Sequence, residues 1–412
     1  MFNGLGFERR VATRFLREGR MQTVLIIIGV AAGVAVVAYI SALISGLQKN
    51  TLDKVLGTQA HVTLSERDDV VTAAGAPAVG TTLLAQTQPR AQRARSIANW
   101  QALVPLLEAV PGVVAVSPTV SGAGLAVRGE ATKSIALLGV DLERYERIVQ
   151  LRSKVVAGVA RLGPGEGIIG RELAADLGVR VGDRIGLATG SGATTVSDSL
   201  RVTALVDLGV RELNRRSVIV PLRSAQSLVG LPGGATSLEL KVDDIWLAQT
   251  LAADLAQRLP YKVESWQQAN ASLVSALNAQ SISTGVIRAV VMVVVVLGIA
   301  SVLVVSVVQK RREIGILRAM GATQGQVLRI FLLQGAIVGA IGSALGVVFA
   351  VALVWAFSRL ALGSDGLPLF LITLHPGLAL QVAAAATLCG VLAAVAPARR
   401  AAQLDPAQAI RM

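Results

Sequence analysis

Four stretches of the chain carry no charged residue over a length that can cross a bilayer. They are residues 21–48, 289–309, 330–358 and about 376–398. A helix needs about 20 apolar residues to span the hydrocarbon core, so each predicts a transmembrane helix. Before the first, Phe7, Val11, Phe15 and Leu16 recur near helical spacing among arginines. That pattern predicts a short amphipathic helix on the inner leaflet. The first apolar run is far longer than the 7–15 residues of a signal-peptide core, so it is read as an uncleaved span.

The segment between the first two spans has shorter, mixed periods. Residues 61–64 alternate as a strand. Residues 65–96 are rich in Ala, Thr and Gln, carry Arg90, Arg93 and Arg95, and read as a long loop or extended hairpin. Helical spacing over 97–110 stops at Pro111-Gly112, and strand-like runs follow at 113–117 and 125–127. From Asp141 a second set begins: a short helix at 171–177, then strands at 181–185, 200–205 and 218–221, with Gly190-Ser-Gly-Ala-Thr-Thr as a break. A strand at 237–242, a helix at 245–259 and a strand at 263–266 close the segment, and a polar helix over 267–283 leads to the second span.

The predicted architecture is an α-helical membrane protein with four transmembrane helices and a large α/β domain inserted between helices 1 and 2. Its parts are an amphipathic helix (1–20), transmembrane helix 1 (21–48), an external domain (49–284), transmembrane helix 2 (285–309), a cytoplasmic segment (310–329), transmembrane helix 3 (330–358), an external loop (359–375), transmembrane helix 4 (376–398) and a tail (399–412). Within the external domain, 49–140 and 233–270 form a split α/β subdomain and 141–232 an inserted β-rich one.

Charge orients this plan. Of 412 residues 53% are hydrophobic and only 16% charged, yet the net charge is +13. Most of the excess sits in residues 1–20, 310–329 and 399–411, beside the apolar runs. Basic loops stay in the cytoplasm, which places both termini there and 49–288 outside. It also argues against nucleic-acid binding. The single cysteine, Cys389, excludes an intrachain disulfide, and His61 and His375 alone leave little for metal chemistry. No catalytic set and no G-x-x-x-x-G-K-[ST] loop is present, so no enzyme activity is expected of the chain itself.

Two sets of membrane residues stand out. Gly29 and Gly33 form a G-x-x-x-G pair, which lets helices approach closely in lipid. Gln334 is the strongly polar side chain of the third span and should face protein or a cavity. No ionisable group lies within the four stretches, which fits an apolar or amphiphilic cargo better than ion-coupled transport.

Three stretches carry a family resemblance. They are Lys310-Arg-Arg-Glu-Ile-Gly-Ile-Leu-Arg-Ala-Met-Gly-Ala-Thr323, Phe331-Leu-Leu-Gln-Gly-Ala-Ile-Val-Gly-Ala-Ile-Gly342 and Pro397-Ala-Arg-Arg-Ala-Ala-Gln-Leu-Asp-Pro-Ala-Gln-Ala-Ile410. The set resembles the permease family that includes MacB, FtsX and the lipoprotein-releasing permeases LolC and LolE. Ser45-Gly-Leu-Gln, Ala60-His-Val-Thr, Ile168-Ile-Gly-Arg-Glu-Leu-Ala, Val181-Gly-Asp-Arg and Phe331-Leu-Leu-Gln-Gly look most like LolC and LolE.

The resemblance implies a dimeric permease of the bacterial inner membrane with its large domain in the periplasm. It pairs with a second permease, as a homodimer or a LolC/LolE-type heterodimer. Two copies of a separate ABC ATPase bind ATP and Mg; this chain holds no cofactor. The implied function is extraction of lipoproteins for delivery to the outer membrane. Alternatives are a MacB-like efflux permease with adaptor and outer-membrane channel, and an FtsX-like transmitter controlling a periplasmic hydrolase.

By the same resemblance Arg312–Gly321 is the coupling helix. Ile314, Ile316, Leu317 and Met320 are expected along one side, Gly321 as the stop, and Arg312, Glu313 and Arg318 in charge pairs with the ATPase. Acyl chains would enter a cavity lined by the first and second spans of both subunits, with Val34, Val37, Tyr39, Ile40 and Leu43 and Ile287, Val291 and Val294 of their outer halves as candidates. Residues 187–200 stand where LolC captures a periplasmic carrier. Their short, Gly-rich sequence departs from that hairpin, so a LolE-like role, a homodimer or a plain surface loop would each explain them.

Overall fold

A computed structural model describes residues 5–67, 96–97, 99–190, 196–361 and 372–403. Most of the 65–96 stretch, the turn 191–195, most of the loop 359–375 and the tail after 403 lie outside them. In chain order the elements begin with α1 (Leu5–Glu18) and α2 (Arg20–Leu56). The α/β part comprises β1 (Val62–Ser65), α3 (Trp100–Glu108), β2 (Val113–Arg128), β3 (Ala131–Val140), α4 (Leu142–Glu146), β4 (Val155–Gly158), β5 (Glu166–Gly170), α5 (Arg171–Leu177), β6 (Arg184–Thr189), β7 (Val196–Val206), α6 (Arg211–Arg216), β8 (Ser217–Pro221), α7 (Leu222–Val229), β9 (Ser237–Val242), α8 (Ala248–Arg258), β10 (Lys262–Ser265) and α9 (Trp266–Ala269). Then follow α10 (Ala271–Gln309), α11 (Arg311–Ala319), α12 (Gln324–Leu360) and α13 (Pro376–Ala402). The chain divides into two compact units, one of residues 1–51 with 275–412, the other of residues 52–274.

In the helical unit, α2, α10, α12 and α13 are each long and apolar enough to cross a membrane. They extend past the charge-free runs because helix propensity does not stop where charges begin. In α1, Ala12 and Phe15 are buried against Ile330, with Val11, Leu317 and Leu333 around them. Ala12 and Phe15 of its apolar face thus pack on protein, and Phe15 lies 6.4 Å from Phe331.

The α/β unit is organised on one ten-stranded sheet in the order β10-β1-β9-β2-β3-β8-β5-β7-β4, with β6 pairing β2 and β7. Most pairs are antiparallel; β3–β8 and β5–β7 are parallel. Separate cores sit on this sheet. Leu238, Leu240 and Val242 alternate into one, with Val62, Leu64, Trp266 and the helices α3 and α8. Val120, Leu137, Ile185, Leu187, Leu200 and Val202 build another, covered by Leu173 and Leu177 of α5 and Ala225 and Leu228 of α7.

Strand β2 serves both cores and runs unbroken from Val113 to Arg128, where the sequence pattern predicts two short strands. Between those two runs lie Gly122 and Gly124. They are close-approach positions. A Cβ at Gly122 would lie 2.8 Å from Val229 Cγ2, and one at Gly124 would lie 2.7 Å from the Ala188 carbonyl oxygen.

On the other face of β9, Ser237, Glu239 and Lys241 point away from the Leu238 core, opposite Thr119, Ser117 and Ala115 of β2. Thr119 Oγ1 approaches Glu239 Oε1 at 3.5 Å and Ser237 Oγ at 2.8 Å. Loss of hydration on burial pushes the Glu239 carboxyl from 4.5 up to about 7, against the pull of Thr119. Burial also raises the Tyr145 phenol well above its ordinary value, and Glu239 adds to it.

Because the folded value is raised, the Glu239 carboxyl binds a proton more readily in the folded state. Its contribution is complete below pH 4.5 and is lost as pH rises through about 7. Glu239→Gln should therefore raise the melting temperature of the full-length protein at pH 8, with little effect at pH 4. Thermal unfolding in detergent at both pH values checks this; equal shifts at both would remove the titration as cause.

Candidate coupling helix and membrane groove

Helix α11 begins one residue after α10 ends, and Gly321 closes it with φ +98°. Only glycine adopts that backbone at no steric cost. Thr323 then caps α12, accepting from the Gln326 amide while the Gln326 side chain accepts from the Thr323 amide. The platform is thus a helix, a tight stop and a capped restart.

The expected single apolar stripe on α11 is split between two faces. Ile314 is 1% exposed and packs with Val307, Val327, Phe331 and Ala398. Leu317, one turn on, is half-buried beside Phe15 and Ile330. Ile316 and Met320 are 43% and 57% exposed. The reason is helical geometry: Ile314 and Ile316, two apart, lie on opposite sides of the helix, whereas Ile316 and Met320, four apart, share one. Arg312, Ile316 and Met320 follow at intervals of four and form the outward face.

The charges divide the same way. Glu313 is bonded to Lys310 Nζ at 2.7 Å, and Lys310 also holds Glu18, itself paired to Arg14 at 2.8 Å. Arg318 Nη1 donates to the Ala402 carbonyl at 3.1 Å. Glu313 and Arg318 are therefore engaged within the chain, and Arg312 stays outward. Hydrogen bonds from Lys310 and Arg14 hold the Glu18 carboxyl below its usual range. The Lys310 ammonium, although burial disfavours its charge, is raised by Glu18 and Glu313. Lys310 also stands 5.5 Å over the Phe15 ring.

A groove of about 440 Å³ lies between α2 and α10, within the range of about 300–1,000 Å³ usual for ligand sites. Its α2 wall includes Leu25, Gly29, Ala32, Gly33 and Val36; its α10 wall includes Val291, Val294, Val295 and Gly298. Every lining residue is aliphatic or glycine. A Cβ on Gly33 would sit 2.5 Å from Val295 Cγ2, whereas one on Gly29 would meet nothing within 4 Å. Gly33 marks a close helix contact within the chain; Gly29 opens on the groove.

Of the predicted cavity residues, Val291 and Val294 line this groove. Val34 and Val37 are buried elsewhere on α2; a Cβ on Gly346 of α12 would meet Val34 at 2.6 Å. Tyr39 packs edge-on to Phe357 at 6.4 Å, and Leu43 joins the cluster of Ala42, Val354 and Ile372. Ile40 is half-buried and Ile287 exposed, and neither lines the groove. Within the single chain these positions lie on other faces of α2 and α10 than the groove. The stripe 25-29-32-36 was the missed signal, since its three- and four-residue steps mark one side of α2.

Gln334 is 1% exposed, and its Oε1 has no hydrogen-bond partner among the described residues. His61 is buried with Nδ1 at 3.0 Å from the Val242 carbonyl oxygen, and burial lowers its pKa. His375 occupies the N-cap position of α13. Leu187 and Leu200 are buried in the β6–β7 ladder, and the turn joining those strands lies outside the described residues.

Residues 23–258 match the MacB-like periplasmic core domain, and residues 285–406 match the FtsX-like permease C-terminal family. The chain belongs to the MacB/FtsX-type family of ABC transporter permeases. It is 29% identical to the lipoprotein-releasing system transmembrane protein LolC of Xylella fastidiosa (strain 9a5c), over 100% of both chains. To the corresponding LolE of Haemophilus influenzae it is 26% identical, over 93% of this chain and 92% of that one. To the macrolide export ATP-binding/permease protein MacB 1/2 of Paracoccus denitrificans it is also 26% identical, over 98% of this permease but 58% of that longer protein.

The two glycines should respond differently to the same substitution. Gly33→Leu forces α2 and α10 apart and should cost about 1–3 kcal/mol, seen as a lower melting temperature in detergent. Gly29→Leu projects into open space and should leave the melting temperature near wild type. Equal losses would show that the groove is filled by packing.

Proposed function

We propose that this permease extracts lipoproteins from the inner membrane for delivery to the outer membrane, driven by two copies of a separate ATPase. The observation that carries the reading is the groove between α2 and α10, whose walls are aliphatic or glycine throughout. Such a groove suits acyl chains and offers nothing to a hydrated ion. The end-to-end likeness to LolC supports it.

In this reading the outward Arg312–Ile316–Met320 face seats on the ATPase, where ATP and Mg are held. Ile314 and the Lys310–Glu313 pair tie α11 to the rest of the helical unit. Motion of α11 then reaches α10 through the one-residue junction at Lys310, and α12 through the Gly321–Thr323 turn. A second permease completes the complex, as a homodimer or a LolC/LolE-type pair. The termini stay in the cytoplasm, and residues 52–274 face the periplasm, where a carrier or adaptor would receive the cargo. A MacB-like efflux role with adaptor and outer-membrane channel is the second reading, favoured by the match of residues 23–258 to the MacB-like domain.

Depletion of this protein should leave a known outer-membrane lipoprotein in the inner-membrane fraction. Wild type should rescue, while Met320→Glu, which places a charge at the proposed interface, should not. The same variant should reduce permease-stimulated ATPase activity by about tenfold, equivalent to 1.4 kcal/mol, without lowering the melting temperature. Normal lipoprotein sorting after depletion would move efflux to the front, and full stimulation by Met320→Glu would take the outward face out of coupling.

A further inference from the structure

One residue beside the groove has no place in the reading above. Arg288 is the only ionisable residue of α10, and it immediately precedes the apolar run. It is exposed. Its Nε donates to Ser41 Oγ of α2 at 2.8 Å, and the buried Ser41 hydroxyl donates in turn to the Val37 carbonyl. Residues 21–48 of α2 contain no carboxylate, and α10 contains none. Neither of the two helices that form the groove offers Arg288 an acidic partner within these residues. A guanidinium has five donors in a planar fork suited to phosphate oxygens, and here one of them is spent on a neutral hydroxyl.

The position of this cation is specific. It stands three residues before Val291, and Ser41 stands five residues after Val36; Val291 and Val36 are groove-lining residues. At a rise of about 1.5 Å per residue, Arg288 and Ser41 lie roughly 5–8 Å beyond that end of the groove. At the opposite end, Gln22 Nε2 meets Gln309 Oε1 at 3.0 Å, a neutral amide pair. The pattern is an apolar trough with Arg288 three residues from its lining at one end, while at the other end the nearest cation on α2, Arg20, stands five residues before Leu25.

We propose that the groove and Arg288 together bind a phospholipid, its acyl chains along α2 and α10 and its phosphate on the Arg288 guanidinium. Charge complementarity selects this occupant: a neutral diacyl lipid would satisfy the trough and leave the cation unmatched. A bidentate guanidinium–phosphate contact supplies both charge and orientation. Arg288 is thus a headgroup-positioning residue. The acyl part of the site coincides with the cargo groove proposed above, while the headgroup part stands whatever the cargo is.

The test uses the full-length protein in mixed micelles with dioleoylphosphatidylglycerol or dioleoylglycerol, lipids of the same chains with and without phosphate. Lipid retained through gel filtration is counted by native mass spectrometry. Wild type should retain the phospholipid about fivefold better, the scale of one cation–anion contact near a membrane surface. Arg288→Gln should bring the two lipids to parity, and Arg288→Lys should keep part of the preference. Gly29→Leu, which fills the groove, should reduce retention of both. An undiminished preference in Arg288→Gln, no retention by wild type, or full retention in Gly29→Leu would each overturn the proposal. If lipoprotein sorting is normal on depletion yet retention still depends on Arg288, the cargo reading fails and the lipid site stands.

Discussion

The helical unit depends on close contact between backbones that have no water to exclude between them. Apolar side chains gain little by leaving lipid for a protein interior of similar polarity, so association rests on packing. In this permease that packing runs through glycine. Gly342 and Gly346 of α12 seat against Val30 and Val34 of α2, Gly33 of α2 meets Val295 of α10, and Gly335 of α12 lies against the Gly390 carbonyl of α13. A side chain at any of these points would separate the helices. The faces of α2 taken up by α12 leave the 25-29-32-36 stripe to form the groove with α10.

The same constraint makes the end of the unit where α10 meets α11 polar. Where the spans end, Lys310 gathers Glu18 and Glu313 and lies over Phe15, so that α1, α10 and α11 meet at one ammonium. Its side chain is largely covered, and a cation so placed without partners would be costly. Arg329 adds a second tie to the buried Glu8 at 3.5 Å. These contacts hold the inner face of α11, which leaves its outer face available. The proposed coupling role follows from that division of labour between two faces of a nine-residue helix.

In the α/β unit, most strands and helices were legible because alternation and helical spacing are local properties. The strand at 237–242 and the short helix at 171–177 match their observed bounds. The length of β2 was not legible. Glycine reads locally as a break, and only the neighbours Val229 and Ala188 show why it is needed inside a strand. The Glu239 carboxyl was likewise hidden, because an acidic residue in an alternating strand reads as solvent-facing until the covering segment is known.

The sequence by itself determined the membrane class, the four spans, the polarity of the charged segments and the family, because these depend on composition along the chain and on contiguous motifs. Tertiary structure alone decided which face of each helix does what. It turned Ile314 inward and Ile316 outward, built an intrachain groove from Gly29, Gly33 and Val36 with Val291 and Val294, and put Arg288 near its end. The physical reason is that a transmembrane helix is apolar all round. Hydrophobic periodicity, which marks the buried face of a helix in water, carries no such information when the solvent is lipid.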